Sequence, residues 1–146
     1  MVTPLMHSIT IQDLPYQARS EILFCALRDL PDAIWLDSGK PHSSQGCFDI
    51  ISACPDVLIE TDGACSTVTD SKGSHTTEED PFTLAERLLE PMLAIDDDLA
   101  GQPFVGGILG YFGYDLGRRL VDIPDHTLAV SDLPDMRIGR YLWSLV

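Results

Sequence analysis

The sequence has 146 residues, 45% of them apolar, which is enough for one domain built around a single hydrophobic core. Its formal net charge is −14, from 23 acidic against 9 basic side chains, and such a surface repels phosphate backbones and anionic lipid head groups. The charge therefore disfavours nucleic acid and membrane partners, and no stretch approaches the ~20 apolar residues of a membrane span.

The first predicted element is a helix over Leu14–Leu30, where small and apolar residues recur at helical spacing. Asp13 is the candidate N-cap, and Pro31 stops the pattern. We therefore expect a helix ahead of the first strand.

Three short runs rich in β-branched and aromatic residues follow this helix: AIWLD from Ala33, CFDIISA from Cys47 and DVLIET from Asp56. Gly, Pro, Ser or Asp bounds each run, which predicts three sequential antiparallel strands. The polar segment after them predicts one weak edge strand over Cys65–Thr69 and then a loop.

A second helix is predicted to begin at Asp80–Pro81. An aspartate cap followed by proline at the first helical position satisfies the opening amides without loss of a hydrogen bond. Pro91 lies inside the apolar pattern and is expected to end or bend the helix. The apolar face of this helix consists of Phe82, Leu84, Ala85, Leu88, Leu89 and Met92.

A glycine-rich stretch, PFVGGILGYFGYDLGRRL, begins at Pro103. It matches neither G-x-G-x-x-G nor the P-loop pattern, which argues against a phosphate-binding loop. We interpret it as a buried strand in which Gly106 and Gly110 let a neighbouring backbone, an aromatic ring or a second sheet approach closely. A short helical turn follows from Tyr114, with Arg118 and Arg119 near its negative C-terminal end.

The last segment, MRIGRYLWSLV, reads as a strand with Tyr141, Trp143 and Leu145 on one face. An apolar terminal strand of this kind would be an unpaired edge, so we expect the chain to be part of something longer. Trp143 and Trp35 both fall in strand patterns and are expected to be core aromatics.

Together these elements predict an α+β fold: a mainly antiparallel sheet with at least two helices packed on it, in one domain spanning 1–146. The four cysteines form no C-x-x-C pair, and the N-terminus has no signal-peptide pattern, so free thiols in a cytoplasmic protein are expected.

No metal site is predicted. Asp96, Asp97 and Asp98 are adjacent, so they cannot all face one ion, and a solvated loop is the better interpretation. The histidines form no H-x-x-x-H pair, being scattered at His7, His42, His75 and His126.

The order of residues in GGILGYFGYDLGRR resembles the N-terminal region of a family of chorismate-using enzymes, the aminodeoxychorismate and anthranilate synthases. Three further pieces are similar in order and spacing: LDSG from Leu36 with FDII from Phe48, then DPFTLAERLL, then LPDMRIGRYLWSLV. The resemblance runs from about Leu14 to the end. Gly117 followed by two arginines favours the aminodeoxychorismate branch, whereas Val121 departs from the acidic residue usual in both branches.

The resemblance implies a parent enzyme that makes 4-amino-4-deoxychorismate from chorismate and ammonia for folate synthesis. It also implies magnesium as cofactor and a separate glutaminase subunit as partner. The chorismate and magnesium site of the family belongs to a large C-terminal domain that nothing in this chain matches. We therefore expect no catalytic and no metal-binding residue in 1–146; the alternatives are a freestanding effector-binding module or the same region of an anthranilate synthase.

In this family the early hairpin lines a tryptophan pocket. The resemblance places Leu36, Ser38, Phe48, Asp49 and Ile50 at the matching positions. Leu36, Phe48 and Ile50 could hold an indole, and Ser38 or a nearby carbonyl could accept from the ammonium group. Cys47 stands where the family usually has arginine, however, and the alternative, which the sequence favours, is that these are ordinary core positions of a β-hairpin.

Overall fold

The structure, a computed structural model, describes residues 9–39, 46–90, 99, 101–119, 121 and 133–146. Within these residues it has the α-helices α1 (Ser20–Leu27) and α2 (Pro81–Leu89), a 3₁₀ helix (Tyr114–Arg119), and seven strands. The strands are β1 (Ile34–Leu36), β2 (Ile50–Ser52), β3 (Val57–Asp62), β4 (Cys65–Asp70), β5 (Gly73–Thr77), β6 (Gly107–Phe112) and β7 (Met136–Tyr141).

The strands form two antiparallel sheets, which confirms the α+β prediction. One sheet pairs β1 with β2, and the other has the order β5-β4-β3-β7-β6. The prediction of three sequential strands is therefore half wrong, because β3 pairs with β4 and β7 and not with β2. Cys54, whose φ of 55° is left-handed, and Pro55 separate β2 from β3 and redirect the chain to the larger sheet.

Helix α2 covers one face of the larger sheet. Ile59 of β3 lies directly opposite Ile138 of β7, and both are buried against Leu84 and Leu88 of the helix. The predicted start of α2 is confirmed, because the Asp80 carboxylate accepts from the Thr83 amide at 3.0 Å. Met92 and Pro91, predicted to complete and end this helix, lie outside the described residues.

The other face of the larger sheet carries Arg137, Gly139 and Tyr141, since side chains alternate along β7. The segments just before β1 and just after β2 pack on this face. The Tyr141 hydroxyl donates to the Asp32 carbonyl at 2.9 Å, and a Cβ on Gly139 would lie 2.8 Å from the Pro55 side chain. Because Phe24 of α1 in turn contacts Trp35 of β1, the layers run α1, small sheet, large sheet, α2.

Strand β7 is central in the larger sheet, between β3 and β6, so the prediction of an unpaired terminal edge is wrong. The strand ends at Tyr141, and beyond it Leu145 and Ile51 exchange two backbone hydrogen bonds of 2.8 and 2.9 Å. The segment that follows β7 thus returns to the small sheet. Partners so distant along the sequence leave no signal in a local pattern.

Two other predictions from local pattern are corrected. Helix α1 is shorter than Leu14–Leu30, and Asp13 does not cap it: Arg19 is at the N-cap, with no side-chain hydrogen bond. Strand β4 is not an edge, because the segment predicted as a loop forms β5 beside it. The two strands join at a turn in which Asp70 accepts from the Lys72 amide at 2.7 Å.

The glycine-rich stretch forms β6, as predicted, but it is the edge strand of the larger sheet as described here and not a buried one. A Cβ on Gly110 would press on the Arg137 carbonyl oxygen and lie 2.7 Å from Ile138 Cα. The close approach is therefore to the neighbouring strand β7, not to a second sheet. Gly106 precedes the strand, with a φ of 132° that L-residues rarely adopt.

The two tryptophans are not core residues. Trp35 is only partly buried, and Trp143 is 37% exposed, because β7 ends before it. None of the four cysteines forms a disulfide, as the prediction of free thiols expected, and all four are exposed. In the described part of the chain, no helix has the length and apolar character to cross a membrane.

Candidate effector site

The five residues that the resemblance assigns to a tryptophan pocket lie on or beside the β1–β2 sheet. Leu36 pairs directly with Ile50, so their side chains share one face of this sheet. Trp35 pairs with Ile51 on the opposite face, where Phe24 of α1 packs on the indole at 5.4 Å between ring centroids. Helix α1 therefore packs on the Trp35 face of this sheet, and Leu36 and Ile50 lie on the other face.

Asp49 is the centre of the polar half of the site. Its carboxylate accepts from the Ser38 amide at 2.8 Å and from the Ser38 hydroxyl at 3.0 Å. It also accepts from the hydroxyl of Ser20, the first residue of α1, at 2.5 Å. The carboxylate thus joins the end of β1, the start of β2 and the start of α1. Because the Ser38 proton points to Asp49, the lone pairs of the Ser38 oxygen remain as acceptors.

The apolar half of the site is open. Leu36 is 42% exposed and Phe48 is 53% exposed, whereas Ile50 is partly buried. The interpretation of these positions as ordinary core is therefore wrong for Leu36 and Phe48. These apolar side chains and the Ser38–Asp49 pair are the kinds of group that a ligand with an apolar body and a cationic group would need.

A cleft of about 140 Å³ lies beside this site, between Ile34 of β1 and the larger sheet. Leu58, Leu109 and Tyr111 are among its other lining residues, but none of the five predicted site residues lines it. Ligand pockets usually enclose roughly 300–1,000 Å³. The cleft is therefore too small to hold a tryptophan.

Two residues at this site were missed by sequence reasoning. Ser20 was not singled out, although a serine at the start of a helix is a recognised signal for capping and local hydrogen bonding. Trp35 was taken for a core aromatic, but its Nε1 is buried without a hydrogen-bond partner among the described residues. A buried donor of this kind costs free energy unless an acceptor reaches it.

A cluster of three charged side chains links the segment before β1 to the large sheet. Arg137 donates from one guanidinium nitrogen to Asp32, which precedes β1, and from the other to Glu60 of β3. The hydrogen bond to Asp32 is the largest cause that raises the pKa of Arg137 above its ordinary value. The bond therefore ties the segment before the candidate site to the centre of the larger sheet.

The G-Y-D-L-G-R-R motif has structural contacts in this fold. It forms the 3₁₀ helix, and Arg119 at its end donates to the carbonyl oxygen of Gly63 in the β3–β4 turn. The amide of the same Gly63 donates to Asp135 at 2.9 Å, just before β7. The second arginine of the motif thus holds a turn of the sheet. In the described residues, no group of three or more His, Cys, Asp or Glu is arranged to hold a metal ion, and Asp96–Asp98, His7, His42 and His126 lie outside them.

Comparison with curated proteins confirms the family resemblance of the motifs. The chain is 36% identical over 147 aligned residues to aminodeoxychorismate synthase component 1 of Klebsiella aerogenes, which covers 100% of this chain and 32% of that protein. It is 36% identical over 130 residues to the component 1 protein of Escherichia coli (strain K12), covering 89% of this chain and 29% of the relative.

A weaker similarity links the chain to the neighbouring branch. It is 30% identical over 123 residues to the chloroplastic anthranilate synthase alpha subunit 2 of Arabidopsis thaliana, covering 78% of this chain and 20% of that protein. No protein-family model matches the chain. The chain therefore spans about a third of the length of the aminodeoxychorismate synthase relatives, and the similarity covers 89–100% of the chain.

Proposed function

We propose that this chain is the N-terminal part of an aminodeoxychorismate synthase component 1, an enzyme that aminates chorismate to 4-amino-4-deoxychorismate for folate synthesis. The observation that carries the proposal is the 36% identity along the entire chain to about a third of such a protein. The identity to the anthranilate synthase subunit is lower and covers less of the chain.

In this proposal residues 1–146 are a scaffold without catalytic residues. Chorismate, magnesium and the amination step belong to the remaining two thirds of the protein, and ammonia comes from a glutaminase, the second component that the relatives' name implies. The contact of Arg119 with Gly63 gives the family motif a stabilising role in the sheet, consistent with a part of the enzyme that does no chemistry.

Product analysis tests this function. The protein encoded from residue 1 to the natural stop codon is incubated with chorismate, ammonium and magnesium, beside residues 1–146 alone. We expect aminodeoxychorismate from the longer protein and no turnover by the shorter one. Anthranilate as the product would move the assignment to the neighbouring branch. A reading frame without further domains would refute the proposal and favour a freestanding effector-binding module.

We also propose that the surface formed by Leu36, Ser38, Phe48, Asp49 and Ile50 is the tryptophan-binding half-site of this protein. The Ser38–Asp49 pair supports it, because a hydroxyl oxygen backed by a carboxylate accepts well from an ammonium group. The exposed faces of Leu36 and Phe48 offer area to an indole. The rest of the pocket then comes from the part of the protein outside these residues.

Calorimetric titration of the full-length protein with tryptophan tests this site. Asp49→Asn removes the charge behind the Ser38 oxygen and should weaken tryptophan binding by about tenfold or more. Asp29→Asn removes one charge from an almost fully exposed carboxylate just after α1 and should leave the affinity unchanged. Equal affinities in wild type and Asp49→Asn, or no heat of binding in the wild type, would contradict the assignment.

A further inference from the structure

The two edges of the larger sheet differ in chemistry. At one edge, β5 has the sequence GSHTT, in which every side chain is polar and Gly73 to Thr76 are exposed. At the other edge, β6 has the sequence GILGYF, without a charged residue or a proline. Natural edge strands are usually protected by charge, proline, a bulge or a covering element, because their free backbone groups pair with other strands.

The backbone of β6 presents a row of donors away from β7. The Gly113 amide donates to the Asp135 carbonyl at 2.6 Å, at the end of the β6–β7 pairing. Because the direction of the amides alternates along a strand, those of Ile108, Gly110 and Phe112 point away from β7. Among the described strands, only β7 pairs with β6.

Exposed aromatic side chains lie at the same edge. Tyr111 and Phe112 of β6 are 37% and 52% exposed, and Tyr114, two residues beyond the strand, is 90% exposed. Phe112 stacks on Phe82 of α2 at 6.1 Å between ring centroids, which leaves its outer side uncovered. The edge therefore combines outward amides that pair with no described strand with exposed apolar area, as a strand-pairing surface does.

We propose that a strand from the part of the protein beyond residue 146 pairs with β6 and extends the larger sheet. This inference rests on the proposed function, because the aminodeoxychorismate synthase relatives leave about two thirds of their length outside the matched region. A second copy of the chain fits less well. Two chains of net charge −14 repel each other, whereas a strand of the same polypeptide is held close at high effective concentration.

Residue-resolved hydrogen exchange in the full-length protein tests the pairing, and β5 is the internal control. The turn at Ser71–Lys72 makes Asp70 and Gly73 the first bonded pair of β4 and β5, so the amides of Ser74 and Thr76 point outward. We expect the outward amides of β6 to exchange at least about tenfold more slowly than these two. Similar rates at both edges would overturn the proposal, as would protection that appears only at high protein concentration, which indicates a second copy.

Proline substitutions provide a second test. Phe112→Pro removes an outward amide of β6, and Phe112→Ala controls for the loss of the ring. Thr76→Pro and Thr76→Ala are the matched pair at the β5 edge. We expect Phe112→Pro to lower the melting temperature of the full-length protein well below that of Phe112→Ala, and Thr76→Pro to melt with Thr76→Ala, because an exposed edge tolerates proline.

Equal melting temperatures for Phe112→Pro and Phe112→Ala would overturn the proposal. These readouts do not depend on the reaction. A protein that makes anthranilate, or no product, while its outward β6 amides are protected would refute the proposed function and leave the strand pairing intact.

Discussion

The two helices of this chain cover their sheets to very different degrees. Helix α2 begins with a side-chain cap and buries Pro81, Leu84, Ala85 and Leu88 against the larger sheet. Helix α1 has no side-chain cap and no buried residue, and Ile22 on it remains 45% exposed. The chain therefore completes one of its outer layers with its own residues. The outer layer formed by α1 keeps apolar surface exposed among the described residues.

The largest expected difference is in the stability lost when a buried side chain is shortened beneath α2 and when a half-exposed one is shortened on α1. Ile138 is fully buried beneath α2, so Ile138→Ala should lower the free energy of unfolding by about 2–5 kcal/mol. Ile22→Ala on α1 should cost less than about 1 kcal/mol, because nearly half of the side chain is already in water. Urea unfolding of the full-length protein measures both. Equal losses would show that the layer of α1 is as tightly packed as that of α2.

A smaller effect is expected at the glycine that lets β6 approach β7. Gly110→Val places a side chain against the backbone of Arg137 and Ile138 at a φ of 149°, and should cost about 1–3 kcal/mol through overpacking. Gly117→Ala is the control, because a Cβ there meets no atom within 4 Å. A melting temperature that Gly110→Val leaves unchanged would contradict the close approach of the two strands.

Capping distinguishes the two helices directly. Asp80→Ala removes the hydrogen bond to the Thr83 amide and should cost about 1 kcal/mol. Arg19→Ala at the equivalent position of α1 should change stability by less than about 0.5 kcal/mol, since no side-chain cap is lost. Thermal unfolding of both variants tests the contrast, and an equal loss in the two would remove it.

The contact between the two sheets should be sensitive to alkaline pH. Burial, and secondly the charge of Asp32, raise the pKa of the Tyr141 hydroxyl above its ordinary value near 10. The unfolded chain therefore loses the Tyr141 proton at a lower pH than the folded chain does. The stability that this difference contributes is complete below pH 10 and is lost as pH rises through the pKa of the folded state.

Tyr141→Phe tests this dependence. The variant should lose about 1 kcal/mol at neutral pH, because the hydrogen bond to the Asp32 carbonyl is removed. Its stability should then fall less steeply than that of the wild type above pH 10. Parallel pH profiles for the two proteins would show that Tyr141 does not titrate with folding.

The sequence predicted the elements whose signals are local. Helix α2 was located correctly because Asp80 and Pro81 are adjacent to the apolar pattern that they introduce. Strand β5 was taken for a loop because its side chains are all polar; its position comes from a tight turn and from pairing with β4. The central position of β7 could not be read from its own residues, since its partners β3 and β6 were fixed by the register of distant segments.

The candidate site shows the same limit. The resemblance identified Ser38 and Asp49, but the hydrogen bond from Ser20 joins residues 29 positions apart and depends on where α1 packs. Exposure of Leu36 and Phe48 was also not predictable, because alternation along a strand shows which side chains share a face and not whether that face is covered.

The central place of β7 has a consequence for synthesis of the protein. The ribosome releases β3, β4 and β5 early, and these three strands can pair through short turns. Strand β6 has no described neighbour until β7 emerges, and the small sheet waits still longer for Leu145 to reach Ile51. Contacts between such distant residues form slowly. The apolar segments of α2 and β6 therefore stay exposed on the nascent chain until β7 emerges, and this interval is where we expect chaperones to bind.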